Sequence, residues 1–165
     1  MNAMNEVMRG CGRGCAFCEV TLRKSRYFPL DYIGDEIAWN TRYGSDSIQL
    51  HSDDIFLYKL ENWRTMEPNE DAVKELFQYV MDRPGVRHCY PTHGTVSAAV
   101  SNPGLIEDLS TIVRAGPGKW VGIQSGIAGQ PDLGEAFCGE QVVEFPHRGG
   151  NSCRRHPWTS CRYSF

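Results

Sequence analysis

Three cysteines lie within eight residues near the start of the chain, at positions Cys11, Cys15 and Cys18. Their spacing is C-x3-C-x2-C, and glycines lie beside the first two cysteines. Glycine lets a backbone turn closely and reach unusual dihedral angles. Closely spaced cysteines in a chain without a secretory signal are more often metal ligands or catalytic groups than disulfides. The fold must therefore present three thiols together on one tight loop.

The composition excludes several classes of protein. The 165 residues suit one domain, large enough to bury a core without disulfides. The formal charge of −3 argues against a general nucleic-acid surface. The first ten residues hold no apolar run, and no stretch approaches the ~20 apolar residues needed to cross a bilayer. We therefore expect a soluble, cytoplasmic protein in a reducing compartment, with no membrane or nucleic-acid partner.

Strand and helix signals alternate along the chain to about residue 125. The predicted elements are a strand at 6–9, a helix at 30–43, a strand at 47–51, a helix from the cap Asn69 to Pro84, a strand at 86–90, a helix beginning at Ser101 or Asn102, and a strand at 120–123. This order, with connections long enough for parallel crossovers, predicts an α/β fold with a parallel sheet. A doubly wound sheet and a partial barrel both fit it.

The second predicted helix has the clearest pattern. Asn69 can cap its first turn, where Glu70 and Asp71 lie favourably near the positive end of the helix dipole. Its apolar residues recur at helical spacing and predict one face in the core: Ala72, Val73, Leu76, Phe77 and Val80. This stripe is interpreted as core and not as a cofactor site.

The pattern changes after residue 126. We predict a core domain at 1–137 and an irregular basic tail at 138–165. Residues 147–165 hold four arginines and no acidic residue, a charge of +4, which leaves −7 for residues 1–146. The tail is interpreted as disordered or out of frame. Its cysteines and histidines also allow an auxiliary cluster: Cys138, Cys153, Cys161, His147 and His156.

The cysteine triplet suits an iron–sulfur cluster. Three thiolates can hold three irons of a cubane and leave the fourth iron without a protein ligand, whereas an electron-transfer cluster normally has four cysteines. An open metal position is typical of sites that do chemistry on a bound ligand. Two alternatives remain: an electron-transfer cluster or a zinc site, with a further ligand from Cys89 or from the tail.

A further feature is the aromatic residue Phe17, directly before the third cysteine. Together with the C-x3-C-x2-C spacing and a strand that runs into the loop, it resembles the radical S-adenosylmethionine (SAM) superfamily. The Arg9-Gly10-Cys11 opening and the order of elements are most similar to the radical SAM domain of cobalamin-dependent members. The resemblance implies an incomplete (βα)6 partial TIM barrel of about four βα units. It also implies a truncated chain that lacks the cobalamin-binding domain.

The same resemblance implies the chemistry. The protein is expected to be an enzyme that binds a 4Fe–4S cluster through the three cysteines and cleaves SAM reductively to a 5′-deoxyadenosyl radical, which acts on an unknown substrate. An external reductant of the flavodoxin or ferredoxin type supplies the electron. By resemblance, Phe17 lies against the adenine, Asp53 and Asp54 receive the amino group, and Gln124 and Ser125 contact the ribose.

The alternative function is a non-catalytic iron–sulfur protein or an inactive fragment of a radical SAM enzyme. Two further residues are weighed beside it. His93 follows the third strand and is interpreted as a structural histidine, with a proton donor or substrate contact as the second interpretation. Cys89 lies within that strand and is interpreted as a small buried hydrophobe.

Overall fold

The computed structural model describes residues 2–15, 18–19 and 23–115, together with the backbone of 122–127 and 139–144. The elements in chain order are β1 (Asn2–Glu6), β2 (Met8–Arg9), β3 (Arg26–Tyr27), α1 (Leu30–Arg42), β4 (Ser47–His51), a 3-10 turn (Ile55–Leu57), α2 (Glu70–Met81), β5 (His88–Pro91), α3 (Val96–Ser101), α4 (Pro103–Ile112), β6 (Gly122–Ile127) and β7 (Gly139–Glu144).

The central sheet is parallel and has the strand order β1-β4-β5. Asn2 pairs with Ser47 and Glu6 with His51, so the carboxyl ends of β1 and β4 are level. The described residues form an α/β arrangement around this three-stranded parallel sheet. The predicted first strand, 6–9, is displaced: the parallel strand is Asn2–Glu6, and Met8–Arg9 pairs antiparallel with Arg26–Tyr27.

The two faces of the sheet differ in polarity because successive strand residues point to opposite sides. One face is covered by helices and carries buried residues, among them Ala3, Ile48 and Leu50. Asn5 lies on this face too, donates to Glu36 of α1 and accepts from Asn40. The opposite face carries residues that are polar or partly exposed: Met4, Glu6, Gln49, His51 and Tyr90. The partial exposure of these residues distinguishes this face from the one that the helices cover.

The helices agree closely with the sequence. In α2 the side chain of Asn69 accepts from the N–H of Ala72 at 3.1 Å, and all five residues of the predicted stripe are buried. Pro103 stands in the first turn of α4, as predicted. The short helix α3 is not predicted by the sequence, because six residues are too few to show a clear helical period.

The C-terminal part differs from the prediction. β6 spans Gly122–Ile127 and pairs antiparallel with β7, Gly139–Glu144, so a strand lies inside the segment predicted as an irregular tail. The run Gln141-Val142-Val143 has β-branched residues that favour a strand once a partner edge is present. Residues 145–165, with the tail cysteines Cys153 and Cys161, and Cys138 lie outside the described residues.

Two further predictions concern the whole chain. The described parallel sheet has three strands, and the partial barrel of about four βα units stays a prediction. None of the helices among the described residues is both long and apolar enough to span a bilayer.

Candidate metal centre

The cysteine loop leaves the sheet at the carboxyl end of β1. Cys11 is buried, and Cys15 and Cys18 are half-buried, with a turn in which the N–H of Cys18 donates to the carbonyl of Cys15 at 3.1 Å. These thiols form no disulfide with one another or with Cys89. The loop therefore presents three reduced sulfurs at one edge of the sheet.

Gly10 anchors the start of the loop and requires glycine for two reasons. Its φ of +82° lies in the left-handed region, and a Cβ there would come within 2.8 Å of the carbonyl oxygen of Arg23. Its N–H donates to Asp53 and its carbonyl accepts from the hydroxyl of Ser25 at 3.0 Å. The backbone is therefore held on both sides immediately before the first cysteine.

Trp63 covers the middle of the loop. A Cβ on Gly12 would lie 3.0 Å from the six-membered ring of Trp63, and Gly12 has a φ of +66°. The indole is 40% exposed, so it packs against the loop on one side and faces solvent on the other. This contact shields part of the loop from water.

Asp54 connects the loop to two strand ends. Its carboxylate accepts from the Nε and Nη2 atoms of Arg13 at 3.0 and 2.6 Å, from the N–H of Phe56 at 3.2 Å, and from both the N–H and the hydroxyl of Thr95. These five bonds fill the roughly four lone-pair directions of a carboxylate. Asp54 is only 3% exposed and thus positions Arg13.

Asp53 lies beside the loop and has fewer hydrogen bonds than Asp54. It is half-buried, and one carboxylate oxygen accepts from the N–H of Gly10. The other oxygen has no hydrogen-bond partner among the described residues. Of the two predicted SAM contacts, Asp53 retains the capacity to accept a further hydrogen bond, and Asp54 does not.

Two histidines lie on the polar side of the same edge. The rings of His51 and His93 are 6.3 Å apart between centroids and stand nearly perpendicular. The Nδ1 atom of His51 is buried without a partner among the described residues. Glu6 lies opposite His51 in the sheet and accepts hydrogen bonds from the Arg9 guanidinium. This hydrogen bonding, together with the positive charge of Arg9, lowers the pKa of Glu6.

Cys89 lies away from this edge. It pairs with Ile48 in the middle of the sheet and is 4% exposed, on the face that the helices cover. Burial raises the pKa of its thiol, so the uncharged form is favoured. The prediction of a small buried hydrophobe is confirmed, and this position does not suit a fourth thiolate ligand.

The loop fits an iron–sulfur cluster by its donor chemistry. It supplies three thiols, and its glycine backbone turns where a Cβ would collide with Arg23 or Trp63. Among the described residues, no three His, Cys, Asp or Glu side chains converge as ligands of a single ion. A cubane does not need such convergence, since each thiolate binds a different iron.

The predicted site residues are only partly placed. The loop, Asp53, Asp54 and the Thr92–Thr95 segment meet at one edge, as the common direction of the strands requires. Phe17 lies outside the described residues. Gln124 and Ser125 are described by their backbone alone, inside β6, whereas the sequence predicts that they follow a strand.

Two neighbours of the site, Arg13 and Trp63, are not predicted by the sequence, and a third, His51, is indicated only as a polar residue at a strand end. Arg13 could have been suspected, because it is a single cation between two of the predicted ligand cysteines, and acidic residues follow a strand elsewhere. His51 lies at a strand end, at an alternating position that faces away from the core. No local signal indicates that Trp63 covers Gly12, because the contact joins segments fifty residues apart.

Gly10→Ala tests whether the loop depends on this close approach. We expect a loss of about 3–4 kcal/mol in unfolding free energy, from the left-handed backbone and the collision with Arg23. Gly44→Ala is the matched control, because its φ is +89° but nothing lies within 4 Å of the added Cβ, so only about 1–2 kcal/mol is expected. Urea unfolding measures both, and equal losses would contradict the role of the contact.

The chain is 30% identical over 95 residues to the ribosomal protein uS12 methylthiotransferase RimO of Parabacteroides distasonis. The match covers 53% of this chain and 21% of that relative, so the chain spans about a fifth of the relative's length. No protein-family model matches the chain. This distant similarity supports a relationship to the radical SAM superfamily and to its enzymes.

Proposed function

We propose that the chain binds a 4Fe–4S cluster through Cys11, Cys15 and Cys18 and cleaves SAM reductively. The observation that supports this most is the placement of three thiols on one anchored loop at the carboxyl edge of a parallel sheet, where functional residues of βα folds gather. The cluster, when bound, supplies the electron that breaks a carbon–sulfur bond of SAM. The external reductant is of the flavodoxin or ferredoxin type.

The side chains around the loop have separate roles in this proposal. Asp53 accepts the ammonium group of SAM with the carboxylate oxygen that is not bonded to Gly10. Asp54 holds Arg13 and so fixes the loop between the first two cysteines. By resemblance, Phe17 lies against the adenine. Gln124 and Ser125, which are neighbours in β6, contact the ribose.

The polar face of the sheet is the proposed floor for SAM and substrate. Both faces of a parallel sheet are normally covered, and here the face with Gln49, His51 and Tyr90 is polar and partly exposed. A polar ligand on this face satisfies groups that an apolar layer would leave unpaired, such as the buried Nδ1 of His51. This is consistent with a partial barrel closed around its ligand.

SAM cleavage is tested with anaerobically reconstituted protein, dithionite and SAM. We expect 5′-deoxyadenosine and methionine to form together. Asp53→Asn retains an acceptor for the N–H of Gly10 but removes the negative charge, so it should raise the KM for SAM about 10-fold or more at unchanged iron content. The control is Asp46→Asn, at the opposite end of the sheet. An intact cluster that never cleaves SAM would contradict the proposal.

The alternative is a non-catalytic iron–sulfur protein or an inactive fragment, and its electron-carrier form needs a different ligand set. A fourth thiolate would then cap the cluster, and Cys89 is poorly placed for that role. Since the chain aligns with a fifth of the methylthiotransferase, the proposal extends to SAM cleavage and not to methylthiolation.

A further inference from the structure

A basic pocket lies at the base of the cysteine loop. It has a volume of about 330 Å³ and is lined by four cationic side chains: Arg9, Arg23, Lys24 and Arg26. Arg9 and Arg26 stand directly opposite each other in the antiparallel pair β2–β3, which joins the two ends of the loop. Like charges in this register destabilise a strand pair.

Among the residues that the structure describes, the positive charge of the pocket is largely uncompensated. Arg9 is bonded to Glu6. Arg23, Lys24 and Arg26 are exposed, and none of them forms an ion pair with any acidic residue that the structure describes. The chain as a whole has a net charge of −3, whereas this pocket gathers three cations without an acidic partner among the described residues. A bound anion would offset the repulsion.

The cations are held by a fixed backbone. The carbonyls of Arg23 and Lys24 pack against Gly10, at distances of 2.8 and 3.0 Å from the position of an added Cβ. The hydroxyl of Ser25 donates to the carbonyl of Gly10 at 3.0 Å. Because the backbone is ordered before any ligand binds, the conformational entropy lost on binding is that of the side chains and not of the backbone.

We propose that this pocket binds a diphosphate group carried by a small molecule. Guanidinium groups match the geometry of phosphate oxygens with paired donors, and the pocket contains three of them. A diphosphate carries enough negative charge to balance three cations, whereas a single carboxylate balances one. The inference does not depend on the cluster or on SAM cleavage, since the pocket is formed by side chains outside the cysteines.

The test is calorimetric titration of the full, anaerobically reconstituted chain with inorganic pyrophosphate. We expect binding that weakens as salt rises, because the charges are exposed. Arg26→Gln and Lys24→Gln should each weaken it about 10-fold. Arg87→Gln is the matched control: it removes the same charge, but Arg87 lies before β5 near Asp46, at the amino end of the sheet.

The outcomes separate the proposal from its rivals. Unchanged affinity in Arg87→Gln together with the loss in Arg26→Gln supports the pocket. Equal losses in both variants would mean a general charge effect and overturn it. Acetate binding as tightly as pyrophosphate, or no binding of pyrophosphate by the unsubstituted protein, would also overturn it. SAM cleavage, measured on the same samples, tests the proposed function separately.

Discussion

Replacing any one of Cys11, Cys15 or Cys18 by alanine is expected to abolish cluster binding. A cubane held by three thiolates has no spare ligand, so the reconstituted protein should fall from about four irons per chain to less than about one. Iron and acid-labile sulfide content, measured under anaerobic conditions, give the result directly. The electron paramagnetic resonance signal of the reduced protein should disappear in parallel.

The matched control is Cys89→Ala. This cysteine is buried between the sheet and α2, and its replacement should cost about 1–2 kcal/mol of stability through lost packing. Its iron content should equal that of the unsubstituted protein. If Cys89→Ala lost the cluster, a fourth thiolate would be involved and the electron-carrier alternative would be favoured. Full iron content in a variant of the loop would contradict the assignment of that cysteine.

Asp54→Ala is expected to lower the unfolding free energy more than any other replacement of a buried side chain at the site. It leaves the guanidinium of Arg13, which is 21% exposed, without its partner, and the N–H and hydroxyl groups of Thr95 without their acceptor. Breaking a buried ion pair from one side costs about 3–5 kcal/mol. That is a large share of the 5–15 kcal/mol that typically stabilises a domain. Denaturant unfolding measures the loss.

Two variants make this experiment specific. Asp46→Ala removes a carboxylate from an exposed pair with Arg87, at 4.0 Å, and should cost less than about 1 kcal/mol. Asp54→Asn retains the shape and one acceptor and should fall between the two. Trypsin cleavage after Arg13 reports on the loop itself and should accelerate in Asp54→Ala but not in Asp46→Ala. An Asp54→Ala loss no greater than that of Asp46→Ala would refute the positioning role.

Local signals predicted the three longer helices well. The second helix begins after its Asn69 cap and buries its whole predicted stripe, because capping and helical spacing depend on residues within a few turns. The first strand was displaced by four residues, because its position depends on pairing with Ser47–His51, forty residues away. The strand Gly139–Glu144 was missed for the same reason, since its partner decides whether it forms.

The sequence by itself determined the chemical character of this protein: three thiols on a glycine-rich loop, between strand and helix signals that repeat in order. Residue type and short spacing are properties of the covalent chain, so they do not depend on how it folds. Only the tertiary structure decided how the loop is held. Trp63 covers Gly12, Asp54 is saturated by Arg13 and Thr95, and the cations meet at one pocket. Those contacts join distant segments, and their geometry depends on the packing of the sheet as a whole.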